Sequence, residues 1–281
     1  MGRWIVKVRD LIRATHPVPA VSVTLIVGAL MVAQDTEAAA LAWGVASTAA
    51  GQASVGWSND YLDRRRDAAA GRREKPLVAG KVSARVVITA AVLAFVLCAA
   101  FALSLGGAET AVMIVAVASA WAYNAGLKDT VLSWVPYALS FGLLPVFVWL
   151  ATPGGAAPPT WIVAGASLLG VAGHFMNVLP DLERDVRAGY RGLPHRLGSR
   201  GSLFLSCLVL AAMLVVVLIA TRIVGDPSFG QIAAASSAAV LIVAVAWSGL
   251  RGRYTLGFML TIAAAAAIAL VVAFSPEALR R

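Results

Sequence analysis

Two clusters of carboxylates and amides recur in this chain at matched spacing: Asn59, Asp63 and Asp67, then Asn177, Asp181 and Asp185, each reading N-x3-D-x3-D. Steps of four residues along an α-helix rotate by only about 40° and rise about 6 Å, so each trio lines one stripe of a helix. Two such stripes facing each other across a cavity supply four carboxylates and two amide oxygens. These are hard oxygen ligands suited to Mg²⁺, which takes one or two carboxylates and completes its shell with phosphate and water. Basic residues follow both clusters: Arg72, Arg73 and Lys75 after the first, Arg187, Arg191 and Arg196 after the second. A guanidinium grips phosphate oxygens through paired donors, whereas an ammonium acts as a point charge. Acids alone repel a diphosphate; acids with Mg²⁺ and flanking cations bind one.

Aligning each residue with the one 118 positions later exposes an internal repeat. Asn59, Asp63, Arg66, Asp67, Ala70, Gly71, Arg73, Pro76 and Gly80 meet Asn177, Asp181, Arg184, Asp185, Ala188, Gly189, Arg191, Pro194 and Gly198, without a gap. The chain reads as two related units, each delivering one cluster at the end of a helix. A lone Asp at a helix end is usually a cap or a solvated charge. Carboxylates at membrane depth are expensive and point to function, and their repetition favours that reading. Arg73 and Arg191 recur at the same place and are the phosphate-binding candidates among the arginines. Asp60 and Glu183 lie off the stripes. Pro180, just before Asp181, breaks the helix locally and puts the second cluster on a turn.

The elements that position these clusters are membrane helices. Of 281 residues, 60% are hydrophobic and 13% charged, with a mean hydropathy of +0.82; a soluble domain has about 45–50% apolar and about 25% charged residues. Apolar runs long enough to span occur at roughly 17–35, 38–57, 84–105, 108–126, 131–151, 160–180, 201–223, 229–249 and 255–275. The expected fold is all-α and polytopic, one domain over 1–281, with nine transmembrane helices around a central cavity in two pseudo-repeated halves. The first run leads straight into another span and is expected as a retained helix, not a cleaved leader. Net charge is +9. With the N-terminus inside, 20 of the 23 Lys and Arg residues fall in cytoplasmic segments, all but Arg222, Arg280 and Arg281. That asymmetry indicates membrane lipid headgroups as partners, not nucleic acid, and places both motif loops, 58–83 and 181–200, on the cytoplasmic face of the inner membrane. In residues 1–16, Trp4, Ile5, Val8, Leu11 and Ile12 share one face of a helix opposite Arg3, Lys7, Arg9, Asp10 and Arg13, the pattern of an interfacial helix. Cys98 and Cys207 stand alone in apolar runs and read as packed, reduced thiols.

Asn59-Asp60-Tyr61-Leu62-Asp63-Arg64-Arg65-Arg66-Asp67 resembles the first aspartate-rich motif of the UbiA superfamily of intramembrane prenyltransferases, and Asp181-Leu182-Glu183-Arg184-Asp185 its second. Lys75-Pro76-Leu77 with Gly80 and Ser83 is similar to the family's R-P-L-x-x-G-x-x-S, with Lys in place of the usual Arg. Tyr123-Asn124-Ala125-Gly126-Leu127-Lys128 resembles its Y-x-x-x-L-K segment, where Pro is more usual at Gly126. The resemblance implies a bundle around a cavity open to lipid, with Mg²⁺ held by the two motifs to bind an isoprenyl diphosphate, and with Tyr123 and Lys128 assisting the diphosphate. The expected reaction transfers the prenyl group to a lipophilic acceptor, such as an aromatic quinone precursor. Asp63, Asp67, Asp181, Asp185 and Lys128 are the catalytic candidates; Asn59, Arg73, Lys75, Tyr123, Asn177 and Arg191 are the substrate-binding ones. Trp57, Phe141 and Phe175 are candidates to stabilise a carbocation, and His174 to accept the final proton.

A terpene cyclase of the same family, acting on the diphosphate alone, is the alternative. A cation transporter would hold its acids at mid-membrane, not at helix ends beside Arg-rich loops. A CDP-alcohol phosphotransferase would carry D-G-x2-A-R, which is absent here.

Overall fold

The structure is a computed structural model describing residues 2–152, 154–221 and 227–275, with the side chains of residues 2–7 excepted. Arg222, Arg280 and Arg281, and the side chains of Arg3, Trp4, Ile5 and Lys7, therefore lie outside the described residues. The described residues form helices and turns only: α1 (Gly2–Arg13), α2 (Pro17–Ala33), α3 (Ala38–Ala69), α4 (Ala84–Leu103), α5 (Gly107–Ala125), α6 (Val135–Leu150), α7 (Thr160–Val178), α8 (Leu182–Arg187), α9 (Leu193–Ala220), α10 (Phe229–Leu250) and α11 (Tyr254–Ala273).

Local chemistry sets many of these boundaries. Pro17 opens α2, where a missing N–H costs nothing. The Ser83 hydroxyl accepts from Val86 N–H at the start of α4. Ser228 and Gln231 form a reciprocal capping box on α10. Gly198, at φ 70°, kinks α9 one turn after it begins.

Packing closes a ring. α2 contacts α3, α6 and α11; α3 contacts α4 and α5; α5 meets α6, α6 meets α7, and α7 meets α9 and α11. The enclosed cavity, about 400 Å³, is walled by α2, α3, α5, α6, α7 and α11. α4 and α10 contribute no lining residue, and α9 only His195 near its start. These outer helices brace the inner six. A shift of 118 residues carries α2 onto α6, α3 onto α7 and α8, α4 onto α9 and α5 onto α10. The repeat thus extends from the motifs to the helices. It is imperfect: α5 walls the cavity while its counterpart α10 does not, and α11 takes that place.

The exterior is apolar. Leu25, Leu93, Phe204, Ile219, Val243 and Leu250 are each more than half exposed, and a surface of that kind requires hydrocarbon as its solvent. Five segments are long and apolar enough to cross a membrane, Ala84–Leu103, Thr160–Arg187, Leu193–Ala220, Phe229–Leu250 and Tyr254–Ala273; Pro17–Ala33 and Val135–Leu150 are shorter apolar helices. α3 and α5 meet neither description because their polar residues face inward. On α3, Ser47, Thr48, Ser54 and Ser58 are fully buried and donate to backbone carbonyls, Ser47 to Cys98 O and Ser54 to Ala91 O on α4. Cys98 and Cys207 are free thiols.

α1 is fixed to the bundle rather than frayed. Trp57 Nε1 on α3 donates to Leu11 O at 2.9 Å, Asp10 is buried, and Gly56 lets α3 pass against the Thr15 backbone where no Cβ fits. Val8 and Ile12 remain exposed beside Arg9 and Arg13.

Candidate functional site

The first motif lies on the last turns of α3, which runs to Ala69 and so makes the start of the 58–83 segment helical. The second motif is interrupted at Pro180, as its sequence suggests, so its stripe is not continuous. α7 ends at Val178, a 3₁₀ turn covers Leu179–Asp181, and α8 begins at Leu182. Pro180 has no N–H for the helical ladder, which accounts for the break. Asn177, Asp181 and Asp185 therefore sit on three consecutive pieces, not one helix.

Both helices then end in the same way. After α3, Gly71 (φ 69°) turns the chain and Arg72 N–H donates to Asp67 O; after α8, Gly189 (φ 86°) turns it and Tyr190 N–H donates to Asp185 O. This left-handed glycine turn closes the helix C-terminus and sends the following residue back over the motif. Arg72 and Tyr190, one repeat apart, are folded inward, whereas Arg73 and Arg191 are exposed. This corrects the expectation drawn from the repeat: neither Arg73 nor Arg191 lines the cavity. The identical residues Gly71 and Gly189 record backbone geometry; the residues that reach the site are the non-identical ones beside them.

Arg72 joins the two halves. It is 9% exposed; its Nη1 lies 3.3 Å from Asp67, and its Nη2 lies 3.5 Å from Asp181 and bonds Asp185. Lys128, buried on the 3₁₀ turn Leu127–Asp129, bonds Asp63. Lys75 Nζ sits 2.9 Å from Asp60 and 2.8 Å from Asp67. Asp60 is 2% exposed and also lies 3.1 Å from His16 Nε2. Burial raises its pKa, but the His16 hydrogen bond and the Lys75 charge prevail and hold it below the usual carboxylate value. For Asp67 burial prevails over Lys75 and Arg72, and its pKa is raised. Burial lowers the Lys75 pKa, but Asp60 and Asp67 outweigh that and raise it. Burial likewise pushes the Tyr190 phenol up, reinforced by Asp63 and Asp67. At neutral pH it is a donor.

The cavity is lined by Asn59, Asp63, Asn177, Asp181 and Asp185 from the motifs, and by Lys75, Tyr123 and Lys128. Asp67 is not among the lining residues; Arg72 and Lys75 hold it behind them. Asn59 Nδ2 donates to Asn124 Oδ1 at 3.1 Å and Asn177 Nδ2 to Tyr137 OH at 3.3 Å. Sequence reasoning missed Arg72's bridging role, Asn124, Tyr137, Tyr190, His195 and His16. For Tyr190, its repeat position opposite Arg72 was the available signal. Of the aromatic candidates only Phe141 lines the cavity; Trp57 serves α1, and Phe175 is packed inside. His174 is also off the cavity wall. Its Nε2 is 3.0 Å from Ser133 Oγ, which accepts from Leu193 N–H, so it ties α7 to the start of α9.

Among the described residues no three His, Cys, Asp or Glu side chains form a ready metal cage. The donor set nevertheless suits Mg²⁺, which needs only one or two carboxylates when phosphate supplies the rest. Asp67 Oδ2 is buried against the Lys75 ammonium at 2.8 Å, so this oxygen already sits in a place that holds a cation. Below the acids the cavity is mainly apolar, with Val23, Ile26, Met113, Val117, Leu144 and Ile262 among its walls, interrupted by Thr48, Gln52, Ser140 and Thr261.

Comparison with known proteins agrees with this architecture. The bacteriochlorophyll synthase 33 kDa chain of Cereibacter sphaeroides is 31% identical over 177 residues, covering 60% of this chain and 58% of that one. A UbiA homologue from Aeropyrum pernix K1 superposes with a TM-score of 0.73 at 20% identity, over 94% of this chain and 96% of that chain. A UbiA homologue from Archaeoglobus fulgidus, bound to GPP and Mg²⁺, superposes at 0.65 and 19% identity, over 94% and 99%. The model of the UbiA prenyltransferase family matches residues 21–256. This integral membrane protein belongs to the UbiA prenyltransferase family.

Proposed function

We propose that this chain is a Mg²⁺-dependent prenyltransferase that binds an isoprenyl diphosphate at the two motifs and transfers its prenyl group to a lipophilic acceptor, of the aromatic or quinone-precursor class. The observation that carries this reading is the convergence of both acidic motifs, through Arg72, at the mouth of an apolar cavity. The archaeal homologue bound to GPP and Mg²⁺ supports the same ligand class here.

Asp63, Asp181 and Asp185, with Asp67 behind them and the amide oxygens of Asn59 and Asn177, are the groups that would hold the metal. When bound, Mg²⁺ neutralises the leaving diphosphate as a Lewis acid. Lys128, Lys75 and Arg72 stabilise the negative charge that develops as the C–O bond breaks. The mainly apolar walls keep water from the allylic cation until the acceptor carbon captures it and gives up its proton to the released diphosphate, while Tyr137 and Phe141, stacked with centroids 6.3 Å apart, offer π faces to it. Tyr123 closes the same wall edge-on to Tyr137. The distribution of basic residues supports a cytoplasmic position for the motif end.

The test is diphosphate release from a panel of prenyl diphosphates, with and without lipid and quinone-precursor acceptors. Asp63→Ala and Asp181→Ala are expected to lower release by at least about a hundredfold, and EDTA to abolish it. Undiminished release in both variants refutes the assignment. A cyclic product formed without acceptor assigns the chain to the cyclase branch instead.

A further inference from the structure

The segment Gly189-Tyr190-Arg191-Gly192-Leu193-Pro194-His195 carries two aromatic residues with polar ring atoms. Its backbone brings them together. Gly189 reverses the chain, and Gly192 passes so close to Lys128 O that a Cβ would collide with it. Pro194 then sets the first turn of α9. The Tyr190 and His195 rings end stacked, with centroids 6.0 Å apart and planes 20° from parallel.

Both rings line the cavity beside the acids. His195 Nε2 is 3.6 Å from Asp185 Oδ2, beyond hydrogen-bond reach, and Lys128 Nζ stands 5.6 Å from the centre of the Tyr190 ring. The stack therefore belongs to the same layer as Asp185 and Lys128, above the apolar chamber. Tyr190 is 7% exposed and the His195 side chain 6%. Even so, neither ring nitrogen of His195 has a hydrogen-bond partner, and the Arg66 guanidinium, 4.8 Å from the centre of the Tyr190 ring, approaches the phenol without an aligned hydrogen bond to its hydroxyl. Three orphaned polar atoms in one buried stack carry a desolvation penalty that Phe or Leu would avoid while packing equally well. Their retention makes sense when a polar ligand completes them.

We propose that Tyr190 and His195 form a donor pair that binds phosphate oxygens of the diphosphate directly, alongside the metal-binding acids. The pair faces the acids and the lysine, not the prenyl chamber, so its ligand is the phosphate end of the substrate. Cationic groups near it are already paired with carboxylates, Arg72 with Asp185, Lys128 with Asp63 and Arg66 with Asp129, whereas the Tyr190 hydroxyl and the His195 ring are unengaged. The inference rests on the diphosphate reading of the site.

Tyr190→Phe and His195→Phe keep the stacked rings and delete only the donors. Full-length protein in detergent, at saturating Mg²⁺, is titrated with inorganic pyrophosphate against a labelled prenyl diphosphate. Each variant is expected to lose about tenfold in pyrophosphate affinity, the scale of one hydrogen bond to a charged acceptor. The Mg²⁺ concentration for half-saturation, read with pyrophosphate saturating for each variant, stays at the wild-type value. His195→Gln, which retains a donor, falls between wild type and His195→Phe, separating donor loss from packing loss. Pyrophosphate affinity unchanged in both Phe variants overturns the proposal. So does a shifted Mg²⁺ requirement with unchanged pyrophosphate affinity, which reduces His195 to orienting Asp185. Should the wild type itself fail to retain pyrophosphate with Mg²⁺, the diphosphate reading falls; if it retains it and the variants do equally, the donor pair alone does.

Discussion

Replacing Arg72 by Ala removes a cation that touches acids of both motifs, leaving Asp181 and Asp185 with weaker partners and Asp67 with Lys75 alone. Loss of one preorganised donor in a water-poor site costs about 10²–10³ in rate, so Arg72→Ala is expected to fall by that factor in diphosphate release. Arg73→Ala and Arg191→Ala, altering exposed side chains away from the cavity, stay within about twofold of wild type. The same assay on all three variants distinguishes the arginine that the fold selects from those that the repeat highlights. Asp60 supplies a pH-dependent counterpart. Its folded pKa is depressed below 3.8, so its stabilising contribution is present above the unfolded value and disappears as pH falls through the folded one. Asp60→Asn is expected to cost on the order of 2 kcal/mol at pH 7. Thermal unfolding in detergent will show the difference from wild type shrinking as the pH drops below 4. A difference independent of pH over that range places the effect in packing instead.

At the scale of helices, the paired glycine turns are the devices that aim side chains at the site. Gly71 and Gly189 have open space where a Cβ would go, so Ala at either position meets only the backbone penalty of the left-handed region, about 1–2 kcal/mol. Gly189→Ala should therefore lower the melting temperature modestly and weaken diphosphate binding, by swinging Tyr190 off the cavity wall. A fall in stability with unaltered binding contradicts this. These turns also explain what was legible in the sequence. The spacing of Asn59, Asp63 and Asp67 requires only a regular helix, and α3 provides one. The second trio crosses Pro180, and a 3₁₀ turn replaces the stripe. Arg73 and Arg191 stood out because they are identical, yet a one-residue difference in a tight turn decides which side chain enters the cavity. Tyr190 is marked only by its repeat position opposite Arg72, and His195 by no spacing; their meeting depends on Gly192 passing under Lys128.

Across the whole molecule, the apolar runs located the long helices well, because hydrocarbon-facing surface dominates the composition. Hydropathy was least informative for α3 and α5, whose inward hydroxyls and motif residues build the cavity. The offset of 118 residues predicts that both motif loops emerge on one membrane face. In a background with Cys98 and Cys207 replaced by Ser, Arg73→Cys and Arg191→Cys should label with an impermeant thiol reagent from the same side, and Ala157→Cys from the opposite side. Labelling of the two arginine positions from different sides defeats the two-unit architecture.

Each of the four motif acids already has a basic neighbour: Asp63 has Lys128, Asp67 has Lys75 and Arg72, Asp181 has Arg72 and Arg184, and Asp185 has Arg72 and His195. An arriving divalent ion must evict those neighbours, and an arriving pyrophosphoryl group gives them somewhere to go. Each guest thereby clears a berth for the other, and by reciprocity the enhancement is equal in both directions. Calorimetry should find Mg²⁺ binding feeble by itself and much tighter when pyrophosphate is present, with pyrophosphate tightened by the same factor when Mg²⁺ is added.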